Sequence, residues 1–238
     1  MSAPIESRRL VLDRIRSAIA QPTGEANEKP PRSFICEGNL GAAARLQLMV
    51  DRLREYEAEV VECLLEDLAA CIADRLQSSG RGKFLAPPGL RLDWQIEKFE
   101  WKTDHGLDYA AIEECDGVVT GAFAGVADSG TIVLHHSPEE GRRVITLLPD
   151  WHLCVLRTSQ IVETLPEYFD RCPHPPPSMA TYISGPSATA DIEMTRIRGV
   201  HGPRFLNVII VHDEANPETA NEHFADDMDL NRGPNETL

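Results

Sequence analysis

Apolar residues recur along this chain at two spacings, one helical and one strand-like. Ile5, Leu12, Ile15 and Ile19 fall broadly on one helical face between Ile5 and Ala20, and Gln21-Pro-Thr-Gly24 ends that helix. Residues 21–39 are rich in Pro, Gly and charge and read as a linker. Leu46, Met49, Val50 and Leu53 share one face of a helix over Gly41–Arg54. Glu59–Cys63 is a short strand, and Glu66–Gln77 returns to helix through Leu68, Ile72 and Leu76. Lys83–Ala86 is a strand that stops at Pro87-Pro88-Gly89. This alternation predicts βαβ units, an α/β fold and a mostly parallel sheet flanked by helices. Residues 90–105 fit neither period, and Leu107–Glu113 gives one or two helical turns.

The second half holds more strands. Gly117–Thr120 leads into a small-residue loop, Gly121–Ala127, and Thr131–Leu134 leaves it. Pro138–Gly141 links to a strand over Val144–Leu148, followed by another over Leu153–Leu156. Ile161–Phe169 has helical character, and Cys172-Pro-His-Pro-Pro-Pro177 is a stiff linker. Phe205–Val211 is almost wholly apolar, as expected of a central strand of a parallel sheet.

At 238 residues, with 42% hydrophobic positions, the chain can bury a sizeable core. Its net charge of −15 argues against a nucleic-acid binder, which needs basic excess to displace counterions. From Asp213 onward there are eight acids and one base, in a Pro- and Asn-rich stretch. Such a composition buries too little apolar surface to offset ordering. Three segments follow: helix and linker over 1–39, an α/β domain over 40–213, and an acidic flexible tail over 214–238. The six cysteines include no CxxC pair, so the usual ligand spacing for zinc or an iron–sulfur cluster is missing and no metal is expected. Cys63, Cys115 and Cys154 sit among apolar residues and are expected as buried thiols. No run approaches the ~20 apolar residues of a membrane span, and the N-terminus lacks the apolar core of a secretory signal. The expected compartment is the cytoplasm.

Three loops are candidates for chemistry. In Tyr182–Glu193 an apolar run stops at Ser184, Gly185 and Pro186 turn the chain, and Ser187 and Thr189 add hydroxyls. Ile192–Ile197 can continue as a short helix. A strand, a Gly turn and a helix start expose backbone N–H groups that suit a carboxylate or phosphate. The plainer alternative is a capped turn with Ser187 or Thr189 as N-cap. In Thr120–Thr131, Gly125 and Gly130 permit close backbone approach, and Asp128 and Ser129 precede Thr131, where a short acid suits a general base. Asp128-Ser-Gly130 can equally be only a turn. In His201-Gly-Pro-Arg204, Arg204 can clamp a carboxylate and His201 can move a proton, or Arg204 can pair with an acid such as Asp191 or Glu193. The adjacent His135 and His136 do not form a metal pair, Arg142 and Arg143 are expected to be solvated, and Trp151-His152 to pack at a strand entrance. The motifs of nucleophilic hydrolases, P-loop proteins, zincins and dinucleotide-binding proteins are absent.

Four stretches occur in a familiar order: GVVTGAFAGVADSGTIVL, VITLLPDWHLCVL, ISGPSATADIE and GVHGPR. Together they resemble the LUD-domain family of lactate-utilisation proteins, in particular its lactate utilisation protein C group, over roughly residues 5 to 212. The resemblance implies the NagB/RpiA/CoA transferase-like fold, that of glucosamine-phosphate deaminases, ribose-phosphate isomerases and coenzyme A transferases. It also implies work beside two iron–sulfur partner proteins that oxidise L-lactate to pyruvate, with the clusters in the partners and no cofactor in this chain. Its part is then assembly, regulation or binding of a small carboxylate or phosphate. The ligand-binding candidates are Gly125, Asp128, Ser129, Gly130, Thr131, Ser184, Gly185, Ser187, Thr189 and Arg204. Asp128, Asp191 and His201 are the candidates for catalysis. Where relatives often carry Glu, this chain has the shorter Asp128. The alternative is a free-standing enzyme of the coenzyme A transferase or sugar-phosphate isomerase kind, with Asp128 or Asp191 as base.

Overall fold

The structure is a computed structural model that describes residues 3–20, 35–189, 197–198 and 202–213. The chain divides into two units, residues 1–34 and residues 35–238. In the first, helix α1 runs Ala3–Ala20, as its apolar spacing predicts, with Leu12, Ile15 and Ile19 exposed. The acidic stretch assigned to a tail, 214–238, lies outside the described residues, as do linker residues 21–34.

The second unit is built on helix α2 (Ala42–Glu55), strand β1 (Glu59–Leu64), helix α3 (Leu68–Ser78), β2 (Lys83–Ala86), β3 (Glu100–Thr103), helix α4 (Tyr109–Glu113) and β4 (Gly117–Thr120). It continues with β5 (Ala124–Val126), β6 (Thr131–Leu134), β7 (Trp151–Arg157), β8 (Ile161–Val162), helix α5 (Leu165–Arg171), β9 (Thr181–Ile183), β10 (Ala188–Thr189), β11 (Ile197–Arg198) and β12 (Phe205–His212). Six strands form a wholly parallel sheet in the order β1-β12-β7-β4-β2-β3. β12 is therefore interior, between β1 and β7, as its apolar run predicts. A second sheet, β8-β5-β6-β9, is mixed.

Successive strand residues face opposite sides, and this alternation sets the layers. Trp151, Leu153 and Val155 of β7 and Ile209 and Val211 of β12 pack with Leu68, Ile72 and Leu76 of α3. Cys154 and Leu156, with Leu206, Val208 and Ile210, face the other way, onto Met49, Val50 and Leu53 of α2 and onto Ile132 and Leu134 of the second sheet. The parallel sheet is thus covered by α3 on one face and by α2 with the smaller sheet on the other. Each buried Leu, Ile or Val adds about 1.5–3 kcal/mol of transfer free energy to this arrangement.

Several expectations are corrected. Val144–Leu148 is not a strand: residues Arg143–Thr146 form a 3-10 helix in which the Thr146 hydroxyl donates to the Arg143 carbonyl, 2.9 Å. The turn at Gly141 (φ +72°) breaks the extended chain there, and Ile145 buries against Leu85 and Ile112. Ile161–Phe169 is not one helix. Ile161 and Val162 pair with β5, and Thr164 then caps α5 through a box with Glu167. The small-residue loop contains β5, and β3 supplies an edge strand inside 90–105. Ile197 lies in β11, antiparallel to β10, rather than at the end of a helix; residues 192–196 lie outside the described residues. Cys115 and Cys154 are buried, whereas Cys63 is half-buried. Residues 35–40 are held to the body: Gly38 N–H donates to Glu167 Oε1 at 2.8 Å and Leu40 N–H to Glu163 Oε2 at 2.6 Å. Among the described residues, no helix is long and apolar enough to cross a membrane.

Candidate functional site

A cavity of about 290 Å³ opens beside the amino ends of β7 and β12, between the parallel sheet and β9. His152, second residue of β7, forms part of its floor beside Leu206, its register partner on β12. One wall is the 3-10 helix, through Arg143, Thr146 and Leu147. The opposite wall is β9 and the turn after it, residues 181–188, and Gly202 and Pro203 close the end.

The floor is polar but uncharged. His152 Nε2 and Thr120 Oγ1 share a hydrogen bond of 2.8 Å, and Thr120 Oγ1 also reaches Cys154 Sγ at 3.8 Å. Burial drives the His152 imidazole down to about 4, so the ring is neutral near pH 7. Burial likewise pushes the Cys154 thiol up to about 12, which removes it as a nucleophile at neutral pH.

The β9 wall is braced from behind. His136 Nδ1 lies 2.8 Å from the Gly141 carbonyl, which can only accept, so Nδ1 carries a proton. In the neutral ring Nε2 then accepts from Thr181 Oγ1, 2.8 Å away. His135 stacks on Phe123 at 3.6 Å and shares a 2.8 Å hydrogen bond with Tyr168, whose hydroxyl accepts from Tyr182 at 3.4 Å. These histidines therefore orient the wall of the cavity.

Charge enters through Arg143, which is exposed and has no acid within ion-pair distance among the described residues. Its neighbour Arg142 behaves differently. Arg142 donates twice to the buried Asp104 carboxylate, at 2.8 and 2.6 Å, and once to the Leu107 carbonyl at 2.9 Å. Burial pushes the Asp104 pKa up, but Arg142 and the N–H groups of Leu107 and Gly106 outweigh that and hold it below the usual carboxylate range. Arg142, expected to be solvated, keeps 47% of its side chain exposed and also ties the start of the 3-10 helix to Asp104. Among the described residues the cavity lining contains no Asp or Glu.

The three candidate loops do not all meet in this cavity. Ser184, Gly185 and Ser187 line it, and the Ser187 N–H donates to the Pro203 carbonyl at 2.8 Å, joining two of the loops. Ser187 leads into β10, whose Ala188 and Thr189 pair with β11, so Ser187 caps no helix; residues 190–196, which include the expected helix start, lie outside the described residues. Thr189 follows in β10. The 125–131 segment lies elsewhere. Gly125 lies in β5 against Leu156 and Met49, with no room for a Cβ, since one would sit 2.8 Å from Leu156 Cδ2. Gly130 (φ +58°) lets the turn press on α2 beside Arg52. Asp128 is exposed; its N–H donates to the Glu163 carbonyl at 2.9 Å, and its carbonyl accepts from Arg52 Nε at 3.1 Å. Ser129 reaches the cavity only through a hydroxyl chain, 2.7 Å to Thr131 and 2.8 Å from Thr131 to Ser184. Arg204 is outside the lining and donates twice to Asp150, at 2.5 and 2.9 Å. Asp191 and His201 lie outside the described residues.

Sequence reasoning passed over Arg143, Thr181 and His152 as site residues. Among the described residues, no group of three His, Cys, Asp or Glu side chains could hold a metal ion.

The model of the LUD domain matches residues 41–211 of the chain. "Lactate utilization protein C" of Deinococcus radiodurans is 35% identical over 213 residues, covering 87% of this chain and 96% of that protein. "Lactate utilization protein C" of Bacillus subtilis is 35% identical over 134 residues, covering 52% of this chain and 55% of that one. A crystal structure of a DUF162 family protein from Deinococcus radiodurans matches with a TM-score of 0.61 and 32% identity, covering 73% of this chain and 99% of that one.

Proposed function

Because the chain belongs to the LUD-domain family, we propose that it serves a lactate-utilisation system as a subunit that binds a small carboxylate. The observation that carries the binding half is the cavity. Arg143, a cation with no described acid in reach, stands over a neutral floor beside the hydroxyl-bearing turn of Ser184 and Ser187. The names of the relatives in Deinococcus and Bacillus support the lactate half.

In this reading the guanidinium of Arg143 takes the carboxylate, in the bidentate geometry that suits it. The neutral His152 ring and the Ser184 and Ser187 turn offer hydrogen-bond partners to the remaining oxygens. Removing two electrons from L-lactate requires redox centres outside this chain, so it works beside two iron–sulfur partners, in the cytoplasm, as an accessory subunit. A free-standing transferase or isomerase is the weaker reading, because Asp128, one of its two candidate bases, is exposed on a turn outside the cavity.

Calorimetric titration of the full chain with L-lactate and with pyruvate tests this. Arg143→Gln is expected to weaken binding about 10- to 100-fold, the effect of losing a hydrogen-bonded charge. Absence of binding by the wild-type protein to either acid, or turnover of an acyl-CoA or sugar phosphate, overturns the reading.

A further inference from the structure

A second cavity, of about 400 Å³, adjoins the first. It is lined by Tyr109, Val144, Leu147 and Leu148, with Arg143 and Glu113 as the charged side chains among its described residues. Arg143 and Leu147 line both cavities, and they stand about one turn apart on and just after the 3-10 helix. The two spaces therefore share one cation and one leucine in their walls.

The apolar half is open to solvent. Tyr109 is 69% exposed and Leu148 38% exposed, although both are large apolar side chains. Tyr109 is the first residue of α4, and Leu148 follows the 3-10 helix whose Ile145 is fully buried. Ile145 fills the core at this point with Val144 packed half-buried beside it, so Leu147, Leu148 and the outer side of Val144 are left to form a surface that a ligand can cover. A small carboxylate uses the polar cavity and leaves this surface wet.

We propose that the two cavities form one site for an amphipathic anion, a carboxylate with an apolar tail. The carboxylate lies in the polar cavity against Arg143, and the tail crosses Leu147 to cover Val144, Leu148 and Tyr109. Glu113 stands on the same groove and disfavours a second negative charge along the tail. The inference rests on the small-carboxylate reading and extends it: lactate is the shortest member of the class, and longer 2-hydroxy acids bind more tightly.

The test is a calorimetric series on the full chain with lactate, 2-hydroxybutyrate, 2-hydroxyhexanoate and 2-hydroxyoctanoate. Affinity is expected to rise about 3- to 4-fold for each methylene that enters the groove, as apolar burial requires. The double variant Tyr109→Ser, Leu148→Ser changes only exposed side chains. It should abolish that rise while leaving lactate affinity unchanged. Arg143→Gln should weaken every member alike. If lactate binds but affinity stays flat or falls along the series, the composite site is overturned and the small-carboxylate reading survives. If the rise persists in the double variant, the tail lies elsewhere and the assignment is wrong. If no member binds, both readings fall together.

Discussion

The side-chain hydroxyl of Thr131 lies 2.8 Å from that of Ser184, and it joins the turn before β6 to the turn that walls the cavity. Thr131 is buried at 6% exposure and also holds Ser129 at 2.7 Å, so one hydroxyl anchors two loops. Thr131→Val keeps the shape and removes the link. Urea denaturation should show a loss of about 1 kcal/mol, the usual worth of such a bond, at unchanged m value. Lactate affinity should fall a few-fold as the Ser184 turn loosens. Unchanged stability together with unchanged affinity would remove Thr131 from the scaffold of the site.

Gly185 is constrained twice. Its φ is +82°, and an added Cβ would meet Tyr56 Cβ at 2.4 Å and the Tyr56 carbonyl at 3.2 Å. Gly80 has a comparable φ of +68° but nothing within 4 Å of the added atom. Gly80→Ala should therefore cost only the left-handed strain, about 1–2 kcal/mol. Gly185→Ala adds a backbone clash of about 1–3 kcal/mol and displaces the cavity wall. Thermal melts should rank the two in that order, with carboxylate binding impaired only in Gly185→Ala. Equal melting temperatures would contradict the close packing of this turn on Tyr56.

Much of the fold is legible in the sequence because burial is periodic. Long apolar runs disclose β12 and β4, and the 3.6-residue spacing of Met49, Val50 and Leu53 discloses α2. What stays hidden depends on partners distant in the chain. β5 is made of Ala, Gly and Val, and its pairing is visible only once Leu156 and Met49 are known to press on Gly125. Val144–Leu148 has the composition of a strand, yet the turn at Gly141 and the burial of Ile145 alone make it helical. The box Thr164–Glu167 could have divided Ile161–Phe169 at the sequence level. In the site, the turn chemistry of Ser184 and Gly185 is readable. Which of two adjacent arginines lines the cavity is not, because Arg142 is engaged by Asp104, 38 residues away in the chain.

Glu140 predicts a pH effect whose sign is opposite to that of most carboxylates. It is 3% exposed, and burial pushes its pKa from 4.5 up to about 7, against N–H bonds from Ser137, His135 and His136 that pull it down. A folded-state value above the unfolded one means the folded protein binds the extra proton. Glu140 therefore favours folding below about pH 4.5, and that contribution is lost as pH rises through about 7. Denaturation at a series of pH values should show wild-type stability falling over this window relative to Glu140→Gln, by on the order of 3 kcal/mol. Gln keeps an oxygen to accept the backbone N–H groups. Parallel curves for the two proteins would show that those bonds hold Glu140 at its ordinary value.

Arg143 and Arg204 separate the cavity from the loop that sequence motifs favour. Arg204 lies in a familiar stretch and has the chemistry to clamp a carboxylate, but Asp150 already occupies its guanidinium, and its side chain is 56% exposed. Exposed ion pairs contribute about 0–1 kcal/mol, so Arg204→Ala should change stability little. With the cavity untouched, it should also leave L-lactate binding and growth on L-lactate intact in a strain that depends on this chain. Arg143→Ala should be equally well folded, because no described acid depends on it for neutralisation. It should nevertheless bind lactate at least about 10-fold more weakly and fail to support that growth. Comparing the two soluble variants side by side removes the ambiguity of a folding defect. If Arg204→Ala fails and Arg143→Ala succeeds, the functional anion site belongs to the His201–Arg204 loop, and the cavity beneath Arg143 is a feature of packing.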